Sequence, residues 1–427
     1  MSSKPAFLAR ATLPLLIAAS LPALAQLPVY VDFELQARSN LLVNDNGFNL
    51  PPGSSFNSIS PTLNDDGWVA FPVQVVTHDD DPGQSGSGVW HGRHGVGGIV
   101  HRHDGADGIS TEIAINAAGQ VAYRLGSTGN QTLWLYEPEL DAVRQVGLLP
   151  LTPTGLSNLS LSDAGIVGYQ GLVGSSRYFA STSAFPPPND SVVHVYQSSL
   201  DATSPYNFLY SPSMNNQRLI AGKVNVGTGS DFSKEEIRLF AADGSSEVVA
   251  SDTDIDPQSP FTSFDNSLAV NDHGQVAVMV RLAQGNVRAV YRLGDGEPVE
   301  IARVGGGPIT EIQFFRPAIN NDGLVAFRAS DADGQAVFVG DGQSLVRVIG
   351  RGDVIETDQG AGQLGQHDAS PVFGGAPDIN NHGDVVVSAG LHPEGDNLVE
   401  WGSGIIVAWA ERGDDDDVIF RDGFEGE

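Results

Sequence analysis

Pro317-Ala318-Ile319-Asn320-Asn321-Asp322-Gly323-Leu324-Val325-Ala326-Phe327 is the stretch on which the fold turns. An apolar pair leads into Asn-Asn-Asp-Gly, and Leu-Val-Ala-Phe leads out. Asparagine at the first turn position bonds its side chain to the backbone two residues on, and glycine takes the positive φ that a tight hairpin loop needs. The segment reads as a β-hairpin.

The same hairpin recurs along the chain. Pro61-Thr62-Leu63-Asn64-Asp65-Asp66-Gly67-Trp68-Val69-Ala70-Phe71 is a close copy, and so is Ile115-Asn116-Ala117-Ala118-Gly119-Gln120-Val121-Ala122-Tyr123. Two more are Val270-Asn271-Asp272-His273-Gly274-Gln275-Val276-Ala277-Val278 and Ile379-Asn380-Asn381-His382-Gly383-Asp384-Val385-Val386-Val387. Two copies are degenerate. Leu161-Ser162-Asp163-Ala164-Gly165 puts serine in the asparagine position, and Met214-Asn215-Asn216-Gln217-Arg218 puts Arg218 where glycine belongs. Asn64, Gly67, Asn116, Gly119, Asn271, Gly274, Asn320, Gly323, Asn380 and Gly383 are therefore assigned to the turn itself.

The anchors at 64, 116, 162, 215, 271, 320 and 380 lie 52, 46, 53, 56, 49 and 60 residues apart. A period near fifty marks a propeller or a solenoid. The sixth unit settles which. Glu311 to Ile319, Leu324 to Ser330, Gln335 to Gly340 and Ser344 to Gly350 read as four short strands with tight turns between them. Four antiparallel strands per unit are the content of a propeller blade. No helical periodicity follows residue 26. The expected fold is all-β: a seven-bladed β-propeller of four-stranded antiparallel blades. The seventh unit, with Ser370 to Ile379, Asp384 to Ala389 and Gly404 to Ala410, lacks a fourth strand, while Glu34 to Val43 has no partner of its own. The N-terminal strand is expected to complete the last blade and so remove exposed strand edges.

The composition of the 427 residues agrees and excludes much else. Lys and Arg total 22 against 52 Asp and Glu, a net charge of −30, and there is no cysteine. A surface this acidic repels nucleic-acid backbones and anionic lipid. The lack of cysteine excludes disulfides, thiolate metal sites and cysteine nucleophiles. The 51 glycines and 25 prolines fit a chain with many turns.

Residues 1–25 read as a signal peptide: Lys4 and Arg10, an apolar run from Leu13 to Leu21, and the small-x-small site Ala23-Leu24-Ala25. The run is too short to span a bilayer. The domain plan is a cleaved leader at 1–25, a propeller at 26–410 and an acidic tail at 411–427, in a secreted bacterial protein, extracellular or periplasmic, without membrane insertion and monomeric.

The repeats resemble those of uncharacterised secreted bacterial proteins that share an extracellular I-N-x-x-G-x-V-A-F tandem repeat, the HAF-like repeat of choice-of-anchor proteins. The resemblance covers residues 34 to 410, closely in five copies and loosely in two. It implies a propeller-like secreted protein and brings no catalytic residues. Val418 to Glu425 resembles a short C-terminal tag of such proteins, without the hydrophobic helix or basic cluster of a membrane anchor.

Candidate chemistry is sparse. His101 and His103 share a strand face, with His91 on the neighbouring strand, and imidazoles so placed are candidate metal ligands. The reading weighed against this is solvated side chains on the outer strands of the first blade. Asp252, Asp254 and Asp256 alternate as in a calcium loop, but Pro257 replaces the required glycine and Ser263 the bidentate glutamate. Calcium is thus the cofactor these carboxylates allow, and the sequence favours turn chemistry over it. The turn carboxylates Asp65, Asp66, Asp272 and Asp322 repeat from blade to blade, whereas catalysis needs one unsymmetrical pair. No G-x-S-x-G, H-E-x-x-H or phosphate-loop sequence occurs. Trp90, Trp134 and Trp409 fall on third strands, where packing between blades is the expected role. The reading is a secreted, non-catalytic binding or structural module for an extracellular protein or glycan. The alternative is an extracellular carbohydrate-active enzyme with unsymmetrical carboxylates at the channel mouth.

Overall fold

A computed structural model describes residues 27–411, apart from 40–46, 57, 78–84, 106, 128, 149–152, 186–189, 228, 295 and 367–370. Residues 1–26, where a leader is expected, the tail beyond 411, Leu41 to Asn46 and Asp79 to Asp81 lie outside the described residues.

Seven antiparallel sheets follow one another along the chain. Blade one runs Thr62–Leu63, Val69–Thr77, Ser85–Arg93 and Val96–Asp104. Blade two runs Ile109–Ile115, Val121–Leu125, Thr132–Glu137 and Ala142–Val146. Blade five, with Phe261–Val270, Val276–Leu282, Arg288–Leu293 and Val299–Arg303, is the most regular. In every blade the first strand ends at the repeated asparagine or serine, and the hairpin after it leads into the second strand.

The ring closes as the unpaired N-terminal segment requires. Tyr30–Arg38 pairs antiparallel with Gly402–Ala410, from Tyr30 opposite Ala410 to Arg38 opposite Gly404. Arg38, 1% exposed, fixes the strand end: its guanidinium donates to both carboxylate oxygens of Asp358 at 2.8 and 2.7 Å, and to the Trp401 carbonyl at 2.8 Å.

The recurring Val-Ala-Phe takes its meaning from how the blades stack. Buried side chains form seven clusters, each made chiefly of two adjacent blades. Val325 and Phe327 of blade six pack with Ala277, Met279 and Val290 of blade five. Ala326 between them packs with Val385 and Val387 of blade seven. Val69 and Phe71 likewise meet blade seven, while Ala70 meets blade two. Second strands are thus covered on both faces, which is why Val325 to Phe327 and Val276 to Val280 run apolar without alternating, before Arg328 and Arg281 near the strand ends. Outer strands such as Ser246–Ser251 are largely exposed.

Strand bounds shift, with the closing strand at Tyr30–Arg38 where Glu34 to Val43 is expected and the blade-seven strand at Asp378–Ile379 where Ser370 to Ile379 is expected. Two larger details also depart from expectation. The first strand of blade six is not continuous from Glu311 to Ile319: it is broken into Glu311–Ile312 and Ala318–Ile319. Pro317 has no N–H to give the ladder, and Phe315 N–H turns back to the Gln313 carbonyl at 2.9 Å. A hairpin of Val354–Thr357 and Gly360–Leu364, unforeseen, adds to blade seven along Val385–Pro393.

Candidate functional site

First strands line the axis, and the seven repeated turns stand around one mouth of the channel. There the turn asparagines do more than close their own hairpins. Each Oδ1, or Oγ of Ser162, accepts the backbone N–H four residues on, at 2.8–3.0 Å in all seven copies. The bond two residues on forms in three copies only, to Gln217, His273 and His382.

The amide nitrogen reaches the next blade. Asn64 donates to the Asn116 carbonyl at 3.0 Å, Asn116 to that of Ser162 at 3.1 Å and Asn215 to that of Asn271 at 2.9 Å. Asn271 donates to Asn320 at 2.9 Å, Asn320 to Asn380 at 3.1 Å, and Asn380 back to Asn64 at 3.1 Å. The circle lacks a single link, because Ser162 has no amide to offer Asn215.

A second circle lies one residue further on. Backbone N–H groups of residues 117, 163, 216, 272, 321 and 381 each donate to the side-chain oxygen of the next blade, at 2.7–2.9 Å. Its one gap is at Ala117, which has no side-chain oxygen. The three carboxylates of this circle are bonded to amides: Asp163 and Asp272 to Asn216, Asp272 also to Asn321, and Asp65 to Asn381.

Below the mouth the symmetry breaks. Asp378, two residues before its turn asparagine, accepts Thr62 Oγ1 at 2.9 Å and Leu63 N at 3.2 Å. Burial raises its pKa, against the pull of Arg316. Four residues before the turn, the copies read Ser60, Glu112, Asn158, Ser211, Ser267, Arg316 and Ala376. Six of these seven, with Phe314 and Phe315, line a second cavity of about 250 Å³ toward the other end of the channel. Glu112 there accepts the Asn158 N–H at 2.8 Å and pairs with Arg124 at 3.6 Å. These unsymmetrical residues were not singled out from the sequence. The signal that finds them is variation among the seven copies at one fixed distance before the turn.

The histidines do not come together on a metal. His91 stacks on Trp68, with centroids 4.6 Å apart, and meets the edge of Tyr136. Its Nε2 is buried without a hydrogen-bond partner, and burial pushes its pKa down to about 4. His101 is held by the Tyr123 hydroxyl at 2.7 Å and lies beside Trp134. Burial and the neighbouring His103 lower its pKa. The carboxylates of the suspected calcium loop serve backbone amides. Asp252 accepts from Glu235, Asp254 and Ile255, and Asp256 from Gln258. Asp254 is exposed. Among the described residues no three His, Asp or Glu side chains converge with metal-holding geometry.

Of the tryptophans, Trp90 is buried between blades one and seven, its Nε1 on the Asn49 carbonyl at 2.9 Å. Trp409 is half-buried and donates to Glu34 at 3.0 Å. Trp134 is also half-buried and donates within its own strand, to Thr132 at 2.9 Å.

No curated protein sequence matches the chain. Among solved structures, TolB from Acinetobacter baumannii is similar at 12% identity and a TM-score of 0.42, over 66% of this chain and 63% of that one. Pyrococcus horikoshii acylaminoacyl peptidase is similar at 13% identity and a TM-score of 0.48, over 79% and 50%. For Porphyromonas gingivalis dipeptidyl peptidase 4 the values are 9% and 0.42, over 80% and 52%. The chain spans about half the length of these two peptidases. A family of unknown function (DUF7453) matches residues 34–290, more than half of the sequence, and the chain belongs to that family.

Proposed function

We propose that the protein is a secreted, non-catalytic binding module whose propeller presents its channel to an extracellular protein or glycan. One observation carries this reading: the carboxylates around the turn mouth occupy equivalent positions of the repeat and are bonded to amides of neighbouring blades. The two unsymmetrical acids are also committed, Glu112 to Arg124 and the Asn158 N–H, Asp378 to Thr62 and Leu63. A glycosidase needs two convergent carboxyl groups about 5–10 Å apart, one of them ready to transfer a proton. A rigid ring of satisfied turns instead supplies a frame on which varied side chains can recognise a ligand.

The leader at 1–25, the tandem-repeat resemblance and the acidic tail support export as the setting. We place residues 26–410 as the working unit, without a catalytic cofactor. The test is a thermal-shift screen of the purified chain against extracellular glycans and proteins, with product analysis on each glycan. A ligand that raises the melting temperature and is recovered uncleaved supports the module. New reducing ends released from a glycan would overturn it in favour of the carbohydrate-active alternative.

A further inference from the structure

The cavity at the far end of the channel has the makings of a recognition site, and Arg316 is its most informative residue. It is half-buried and lines both channel cavities. Among the described residues it is the one arginine whose guanidinium makes no hydrogen bond, ion pair or ring contact. Arg288 and Arg328, close by, cover Phe314 and Phe315 at 3.2 and 3.8 Å from the ring centroids. Asp378 is near enough for its charge to be felt, but its oxygens are spent on Thr62, Leu63 and Ile379. A guanidinium carries five donors in a planar fork that matches a carboxylate. Held in a cleft without a partner, it is set for an anion that arrives with the ligand.

The rest of the lining narrows the ligand. The side chains of Thr111, Asn158 and Ser267 make no hydrogen bond of their own among the described residues, so two hydroxyls and an amide are open to a polyhydroxylated partner. Phe314, 72% exposed, stands at the rim with Phe315 behind it, and aromatic rings stack against the apolar face of a sugar. A peptide end would bring backbone N–H and C=O groups in need of a strand edge, which this lining does not offer. The volume, about 250 Å³, falls below the range of roughly 300–1,000 Å³ for drug-sized pockets, so one ring is the natural occupant. A net charge of −30 works against a long polyanion laid along the surface and tolerates a carboxylate that meets Arg316 alone, free or at a chain end.

We propose that the Arg316 cavity binds the carboxylate-bearing ring of an acidic sugar, with Arg316 on the carboxylate, Thr111, Asn158 and Ser267 on the hydroxyls, and the Phe314–Phe315 pair against the ring. This rests on the binding-module reading and adds its ligand class and its site. Free glucuronate and the terminal residue of a glucuronate oligomer present the same chemistry.

The experiment is calorimetric titration of the full chain at low salt with glucuronate, a glucuronate tetramer and neutral glucose. Glucuronate is expected to bind at least about tenfold more tightly than glucose, as a bidentate charge-assisted contact implies. Arg316→Gln should abolish that preference and Arg316→Lys, which keeps the charge beside Asp378, restore part of it, with both ligand-free variants still melting in one cooperative transition. A tetramer tighter than the monomer places the site on polymer ends, and equal affinities place it on the free sugar; either supports the assignment. Equal binding of glucose and glucuronate, or glucuronate binding unchanged in Arg316→Gln, overturns it. If glucuronate fails while another glycan or protein binds uncleaved, the acidic-sugar site falls and the module reading stands. If glucuronate binds through Arg316 but oligomer is hydrolysed, the site stands and the non-catalytic reading falls.

Discussion

Replacing Asn320 tests how the ring is held together. Its Oδ1 accepts the buried Leu324 N–H at 2.9 Å within the hairpin, and its Nδ2 donates to the buried Asn380 carbonyl at 3.1 Å in the next blade. Asn320→Ala strips both bonds and leaves a donor and an acceptor buried without partners. At about 1–3 kcal/mol for each stranded group, the loss should be about 2–6 kcal/mol. Asn320→Ser separates the two contributions, because the protein already contains that arrangement: Ser162 keeps the bond within its hairpin, at 3.0 Å from Ile166 N, and lacks the link to the next blade. Asn320→Ser should therefore cost only about 1–2 kcal/mol, the share of one stranded carbonyl. The converse change, Ser162→Asn, supplies the missing link to Asn215 and should add about 0.5–1.5 kcal/mol. Urea denaturation reads all three as midpoint shifts at constant slope. If Asn320→Ala and Asn320→Ser cost the same, the inter-blade bond is the whole effect and the turn bond none. If Ser162→Asn destabilises, the circle does not stabilise the ring as described.

Arg38→Ala removes one partner of a buried ion pair at the closing strand and should cost about 3–5 kcal/mol; a urea midpoint shift worth less than about 1 kcal/mol would mean that backbone pairing alone holds the closure. At position 218 the chain adopts a φ of 63°, where six other copies use glycine, so Arg218→Gly should be more stable than Arg218→Ala by about 1 kcal/mol in thermal melts. Burial holds His91 and His194 at about 4 in the folded chain, against about 6.5 when unfolded. Their folded pKa values are depressed, so the unfolded chain binds more protons between pH 4 and 6.5, and stability must fall as pH falls through that window. Asp378, raised by burial, works in the opposite sense, so the clean measurement is a difference: His91→Phe, which keeps the stack on Trp68, should flatten the pH dependence relative to the parent by about one proton's slope.

The architecture was legible because a propeller repeats one local problem seven times. Asn-x-x-Gly has a private solution in each hairpin, so spacing alone revealed the blades, and the unmatched segment before Thr62 revealed the closure. What the turn asparagines do between blades was hidden, since a side chain's second bond crosses to a residue 46 to 60 positions away, or 316 where Asn380 returns to Asn64. The channel lining was hidden for a related reason. Arg316 and Asp378 precede their turns within stretches that read as ordinary strand, and the break at Pro317 that brings Phe314 and Phe315 to the cavity looked like part of one strand. The histidines misled in the opposite way: their spacing was right for a shared face, but aromatic rings occupy that face. His101 meets Tyr123 and Trp134, and His91 meets Trp68 and Tyr136.

The two hydrogen-bond circles each lack one link, and the gaps fall at different seams. Ser162 interrupts the asparagine circle between blades three and four, where Asp163 N–H still reaches Asn216 at 2.7 Å. Ala117 interrupts the outer circle between blades one and two, where Asn64 still reaches Asn116 and Ala117 carbonyls at 3.0 and 3.2 Å. No seam loses both. Asn64→Ser would make the gaps coincide at the seam of blades one and two, whose apolar cluster (Ala70, Val89, Ile109, Val121, Tyr123 and Tyr136) is the smallest of the seven. If the circles act as independent fasteners, Asn64→Ser should cost about as much as Asn320→Ser, roughly 1–2 kcal/mol. If each seam needs one intact fastener, Asn64→Ser should cost more and open locally. Amide exchange in Val121–Leu125 should then accelerate while that in Val325–Ser330 keeps the protection of the parent chain. The two seams differ in the backup bond, so equal global losses with no local acceleration would refute the claim that the circles back each other up.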